Sequence, residues 1–268
     1  MIKFRLQSFF ITAILFIFVQ ACQSVTSQDK TQQAEKLLKN NNINNQQCVI
    51  LLHGLARGKR SLAKMTNALE NAGYATVNYA YPSRQYVIET LSENAITAAL
   101  AQCNKHTRIH FVTHSLGGIL VRQYLAKHDL ANLGRVVMLG PPNKGSQVVD
   151  KLKRVPGFKA INGPAGLQLG TDENSVPNTL GAANFEVGVI AGTRSINPIL
   201  STLLPGQDDG KVSLSHTKLD GMADHIALPV THPLMMDNPR VIKETLHFLQ
   251  YGSFQSNKNL KSKHATTW

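Results

Sequence analysis

Short apolar runs alternate along this chain with stretches whose apolar residues recur at helical spacing. Residues 48–52 (Cys-Val-Ile-Leu-Leu), 75–79, 108–113, 135–139, 185–191 and 225–230 are brief, carry apolar residues and are mostly bounded by turn-forming residues. That is the pattern of strands buried on both faces. Between them, Leu62, Met65 and Leu69 mark a helix that Gly73 ends. Residues 86–102 and 118–128 predict two more helices. Residues 239–250 predict a last one, with Pro239 at its start and Val241, Ile242, Leu246 and Leu249 on one face. Strand-helix alternation predicts an α/β domain over residues 47–252, with about six mostly parallel strands and helices on both faces. Residues 155–184 break the rhythm, with Pro156, Pro164 and Pro177 among glycines and asparagines. A long irregular insertion in a compact domain is usually functional or mobile. A lid or pocket wall is expected within 143–184, the alternative being a decorated surface loop.

The amino terminus follows a different pattern. Lys3 and Arg5 precede an apolar run from Phe9 to Val19, too short for a good membrane span and suited to an export leader over residues 1–21. Val19-Gln20-Ala21-Cys22 resembles a bacterial lipobox, with Gln20 an unusual residue for it. The resemblance implies cleavage before Cys22, lipid on its sulfur and a membrane anchor. The non-acidic Gln23 implies sorting to the outer membrane. An ordinary leader with an incidental cysteine is the other reading. Residues 22–46, rich in Gln, Asn, Ser and Lys, read as a tether, and 253–268 as a polar basic tail. Export would permit a bridge between Cys48 and Cys103, which fall at the same end of the sheet; two buried thiols are the alternative.

With 268 residues, 43% of them hydrophobic, the chain can bury a full core. Its formal charge of +12 fits either an ordinary basic protein or attraction to anionic head groups. The basic residues are scattered without an aromatic-basic motif, which argues against nucleic acid as a partner. No glycine-rich phosphate loop follows the first strand, and His106, His110 and His128 lack metal-ligand spacing relative to one another, as do the isolated His216 and His225. No metal or cofactor is expected, and a monomer is.

Ligands of an open parallel sheet bind beyond the carboxyl ends of its strands. Four places there carry reactive residues. Thr113-His114-Ser115-Leu116-Gly117-Gly118 lies between a strand and a helix, as in a nucleophile elbow. His53-Gly54-Leu55 follows the first strand, and Gly54 allows a turn that frees the Leu55 amide. With the Leu116 amide it would form an oxyanion hole. Asp208-Asp209-Gly210-Lys211-Val212 and Thr231-His232-Pro233 follow later strands. A serine hydroxyl needs an imidazole base, oriented by a carboxylate, to become a nucleophile. Either Asp208 or Asp209 could be that acid; the other would shape the turn. His53 reads as structural and His114 as lining a pocket.

The order Ser, Asp, His, together with Val-Ile-Leu-Leu-His-Gly-Leu at 49–55, Thr-His-Ser-Leu-Gly-Gly at 113–118, Asp-Gly-Lys-Val-Ser at 209–213 and Val-Thr-His at 230–232, resembles the α/β-hydrolase superfamily on its bacterial lipase and esterase side. Pro-Pro-Asn-Lys-Gly-Ser at 141–146 is similar to a stretch those lipases carry. The resemblance covers residues 48–250. It implies a serine hydrolase of carboxylic esters with Ser115, Asp209 and His232 as its triad, and it selects Asp209 over Asp208. Thr113 departs from the usual glycine and raises a question about the geometry of the elbow. A lipid acyltransferase would use the same residues, and a non-catalytic envelope binding protein could keep the same fold.

Overall fold

The computed structural model describes residues 47–104 and 107–255. The leader at 1–21, Cys22, the rest of the tether at 23–46 and tail residues 256–268 lie outside the described residues.

Six strands form one sheet. They are β1 (Gln47–Leu52), β2 (Ala75–Tyr79), β3 (Arg108–His114), β4 (Leu133–Leu139), β5 (Val187–Gly192) and β6 (Asp224–Leu228), in the order β2-β1-β3-β4-β5-β6, and every pairing is parallel. Period-two alternation along β1 shows how the sheet is covered. Cys48, Ile50 and Leu52 face one core, shared with α2 (Ile88–Leu100) and α3 (Leu116–Leu125). Val49 and Leu51 face the other, shared with α1 (Ala63–Asn71) and the carboxyl-terminal helix Pro239–Tyr251. All six residues of β5 are buried, as expected of a strand covered on both faces, and this is the α/β architecture the sequence predicts. The strand expected at 185–191 begins two residues later, at Val187, and that expected at 225–230 ends at Leu228.

Cys48, near the start of β1, is bonded to Cys103, just beyond α2, with Cα atoms 6.0 Å apart. The bridge lies at the amino ends of the strands.

The stretch expected to be irregular is organised differently. Residues 143–184 hold α4 (Gln147–Leu152), α5 (Phe158–Leu167) and α6 (Val176–Thr179), the last two within that stretch. Pro156 lies in the turn before α5, and the other two prolines sit where helices tolerate them. Pro177 is in the first turn of α6, and Pro164 follows a break in α5 at Gly163, whose φ is 67°. The segment is stitched to the rest of the domain. Asp150 accepts hydrogen bonds from the amide of Thr171 (3.1 Å) and its hydroxyl (2.6 Å). Arg122, buried on α3, donates from Nη1 to the Asn143 carbonyl (3.0 Å) and from Nη2 to the Gly181 carbonyl (2.8 Å). Burial lowers its pKa to about 10. Among the described residues no helix is long and apolar enough to cross a membrane.

Candidate active site

Ser115 stands between β3 and α3 with φ 53° and ψ −118°. Positive φ is rare for a residue with a Cβ and costs on the order of 1–2 kcal/mol. Its amide donates to the Leu139 carbonyl at the end of β4 (2.9 Å), and its carbonyl accepts from Gly118 (3.0 Å). These bonds hold the turn from both sides. The two glycines that follow are required by close packing. A Cβ on Gly117 would lie 2.5 Å from the Leu52 carbonyl oxygen of β1. One on Gly118 would approach Thr113 Oγ1 to 3.3 Å. The absent side chain of Gly118 leaves room for Thr113, which is fully buried with its hydroxyl directed at the Val137 carbonyl. The bulk of Thr113 is thereby accommodated inside the elbow.

His232 follows β6 and Asp209 lies in the loop after β5. His232 Nδ1 is 2.7 Å from Asp209 Oδ2, and the His232 amide donates to the Asp209 carbonyl (2.9 Å). Asp209 is fully buried. Its second oxygen, Oδ1, accepts from the amides of Lys211 (3.0 Å) and Val212 (2.9 Å). Both carboxylate oxygens are thus engaged, which is what makes a buried charge tolerable. An aspartate acceptor forces Nδ1 of His232 to carry the proton, so Nε2 is left as a base. Asp208 has other duties: its Oδ1 accepts from the Ser201 hydroxyl (2.8 Å) and the Gly210 amide (2.7 Å). It shapes the turn and does not touch His232. After β4, Gly140 has φ 54°, and a Cβ there would lie 3.0 Å from Asp209 Oδ2 and 3.1 Å from His232 Nδ1. Any side chain would press on this pair.

Leu116 is the first residue of α3, where an amide has no partner within the helix. Leu55 follows β1 in a loop fixed by its neighbours. The Ala56 amide donates to Ser83 Oγ (3.1 Å), and the Arg57 amide to the Gly54 carbonyl (3.2 Å). Beneath that loop, His53 is fully buried and stacks on Tyr81 at 4.2 Å, its Nδ1 bonded to the Gly54 carbonyl (2.9 Å) and its Nε2 accepting from the Tyr81 amide (3.3 Å). Burial lowers its pKa. His114 is buried beside His232, its ring centroid 4.7 Å from that of His232. It donates from Nε2 to the His232 carbonyl (3.0 Å). Burial, and secondarily the His232 charge, hold it well below its usual value, so it stays neutral.

These residues share one cavity of about 430 Å³. Ser115, His114, Asp209 and His232 line it, as does Leu55. Much of the remaining wall is apolar: Val148, Val149, Phe158, Leu169, Leu200 and Val212. Two of these, Phe158 and Leu169, come from the 155–184 segment. The sequence reading did not single out Arg57 or the wall formed by Ile196 and Leu200. Arg57, three residues past Gly54 and after a strand end, could have been found by asking which charges share the site's edge. Among the described residues no cluster of His, Cys, Asp or Glu could hold a metal ion.

The sheet order and the placement of these loops define the α/β-hydrolase fold. Solved structures agree. A mature lipase of Bacillus licheniformis superposes with a TM-score of 0.56 at 19% identity, over 76% of this chain and 90% of that one. A phospholipase of Legionella pneumophila gives 0.53 at 18% identity over 64% of this chain, which spans 45% of that larger protein. A metagenomic carboxyl esterase gives 0.52 at 18% identity, over 69% of this chain and 64% of that one. No protein-family model and no curated protein matches the sequence.

Proposed function

We propose that this protein is a serine hydrolase of carboxylic esters. The observation that carries the reading is the buried Asp209–His232 pair meeting Ser115 in one cavity, with Ser115 held at positive φ on the elbow. His232 Nε2 takes the proton of the Ser115 hydroxyl as the oxygen attacks the ester carbonyl. Asp209 keeps the imidazole in the required tautomer and stabilises the imidazolium. The Leu55 and Leu116 amides receive the negative charge on the carbonyl oxygen; losing one such donor typically costs about 3–4 kcal/mol of transition-state stabilisation. The alcohol leaves with a proton from His232, and water then cleaves the acyl-enzyme with His232 again as base. The apolar wall suits an acyl chain. The neighbours named above, a lipase, a phospholipase and an esterase, support this class.

The test is direct. Wild type should hydrolyse p-nitrophenyl esters and be labelled at Ser115 by a fluorophosphonate, and Ser115→Ala should lose at least about 10³-fold in kcat. Undiminished turnover in that variant refutes the reading. The leader and Cys22 support an envelope lipoprotein. Palmitate incorporation in cells should vanish in Cys22→Ser, and labelling that persists would exclude anchoring at this cysteine.

A further inference from the structure

A second cavity, of about 440 Å³, opens beside the first. The two share Ala56 and Arg57 in their walls. Their chemistry is opposite. The first is largely aliphatic; the second is lined by Arg57, Ser83, Arg84 and Gln85 together with Tyr81. Lys211 lines the first cavity. Arg57, Arg84 and Lys211 form no ion pair among the described residues. The only carboxylate lining either cavity is Asp209, whose oxygens are taken by His232 and two backbone amides. Asp209 offsets part of the Lys211 charge, while Arg57 and Arg84 have no carboxylate beside them in either cavity wall. Arg57 and Arg84 line the same cavity, and Arg57 lies within electrostatic reach of Lys211. Partial desolvation, and then the Arg57 charge, lower the Lys211 pKa, and Arg57 helps keep His114 neutral. Like charges brought together at a cleft focus a positive potential there.

We propose that the ester this site takes carries a negative charge on its alcohol half, a phosphate-like anion seated against Arg57 and Arg84 with Lys211 at the rim. The inference rests on the ester-hydrolase reading. The acyl half fills the aliphatic cavity, which leaves the alcohol half for the polar one. Arginine forks match phosphate and related oxyanions in two parallel hydrogen bonds, which favours such an anion over a neutral or cationic group. The same chemistry could come from a glycerophospholipid or from a small soluble ester.

Two arms distinguish these sources. The lipid arm compares lysophosphatidylglycerol with the phosphate-free monoacylglycerol of the same short acyl chain, both below their aggregation concentrations. The soluble arm compares the butyrate esters of 4-nitrophenol and of its 2-sulfonate. The preference for the anionic lysolipid should be at least about tenfold in kcat/KM, the scale of one charge-assisted bond. In R57Q/R84Q, and in 0.5 M salt, the anionic-to-neutral ratio should fall towards unity, chiefly through KM. A preference in both arms supports a site for any such anion, and one in the lipid arm alone supports a phospholipid head group. Equal turnover of both head groups, or a double variant that slows both members of a pair by the same factor, overturns the proposal. Binding separates it from the hydrolase reading. Ser115→Ala protein, titrated calorimetrically with the same two lipids, should still bind the anionic one more tightly; equal affinities overturn the head-group site whether or not wild type turns over esters.

Discussion

Replacing Asp209 with asparagine tests the site at its least ambiguous contact. The two side chains have the same shape, and the residue is fully buried, so packing is preserved. The hydrogen-bond pattern is not. Oδ1 accepts from two backbone amides, at 3.0 and 2.9 Å, so the asparagine oxygen is expected to keep that place. Its NH2 group then faces His232 Nδ1 across the 2.7 Å gap now spanned by a proton. Two donors cannot share that contact, so Nδ1 must become the acceptor and the ring proton moves to Nε2. The base facing Ser115 is lost. Tautomer reversal of this kind lowers kcat by roughly 10⁴, or about 5.5 kcal/mol. Asp208→Asn provides the comparison. It alters only the contacts to Ser201 and Gly210, and its kcat should stay within about threefold of wild type. The assay is steady-state hydrolysis of p-nitrophenyl butyrate at pH 7.5, with thermal melts to show that both variants fold. Asp209→Asn retaining a tenth of wild-type kcat, or Asp208→Asn falling as far as Asp209→Asn, would refute the assignment.

Two predictions concern stability. His110 is buried with Nδ1 accepting from the Arg135 amide (2.9 Å) and Nε2 bonded to Gln47 Oε1 (2.7 Å); burial first, then Arg108 and Arg135, lower its pKa to about 4. The unfolded chain binds this proton near pH 6.5 and the folded one does not, so stability is full above that value and declines as pH falls towards 4, by up to about 3 kcal/mol. Urea midpoints that do not move between pH 7 and pH 5 would contradict this; His53, His114 and His225, also shifted down, act in the same direction. The Cys48–Cys103 bridge closes a separation of 55 residues, for which chain entropy gives about 4 kcal/mol. C48A/C103A should unfold at lower urea with kcat unchanged, and a matching loss of kcat would show that the bridge reaches the site.

What the sequence reveals here follows the range of the forces involved. The strand at 48–52 was legible because burial on both faces writes itself into consecutive apolar residues, whereas the edge strand at 75–79, with only Val77 buried, was legible from its place between a helix and a turn. Ser115, Asp209 and His232 were legible because each follows a strand, and strand ends converge in a parallel sheet. The 155–184 segment was not. Its prolines and Gly163 look like breaks, and Gly163 is one, yet short helices form on either side of it and are held by tertiary partners such as Asp150 and Arg122. The division of labour between Asp208 and Asp209 was left open by the residues themselves, and only the resemblance of Asp-Gly-Lys-Val-Ser selected Asp209. Adjacent aspartates have the same local signature, and their roles part only when the turn at Gly210 points one at Ser201 and the other at His232. Arg57 escaped notice because a single arginine in a basic chain carries no pattern.

Arg122 has a mechanical consequence. It sits on the helix that begins just after Ser115, and one guanidinium grips both the loop after β4 and the far end of the segment that walls the first cavity. Its grip consists of carbonyl contacts in a buried setting, which resist piecemeal breakage because each freed donor would be left dry. Displacing that wall at Gly181 therefore means pulling on the helix of the nucleophile or tearing the guanidinium loose. Val155 and Ile161, at the other side of the segment, are exposed and carry no such tie among the described residues. The wall is clamped along one edge, and the clamp is fastened to the part of the molecule that can least tolerate being moved.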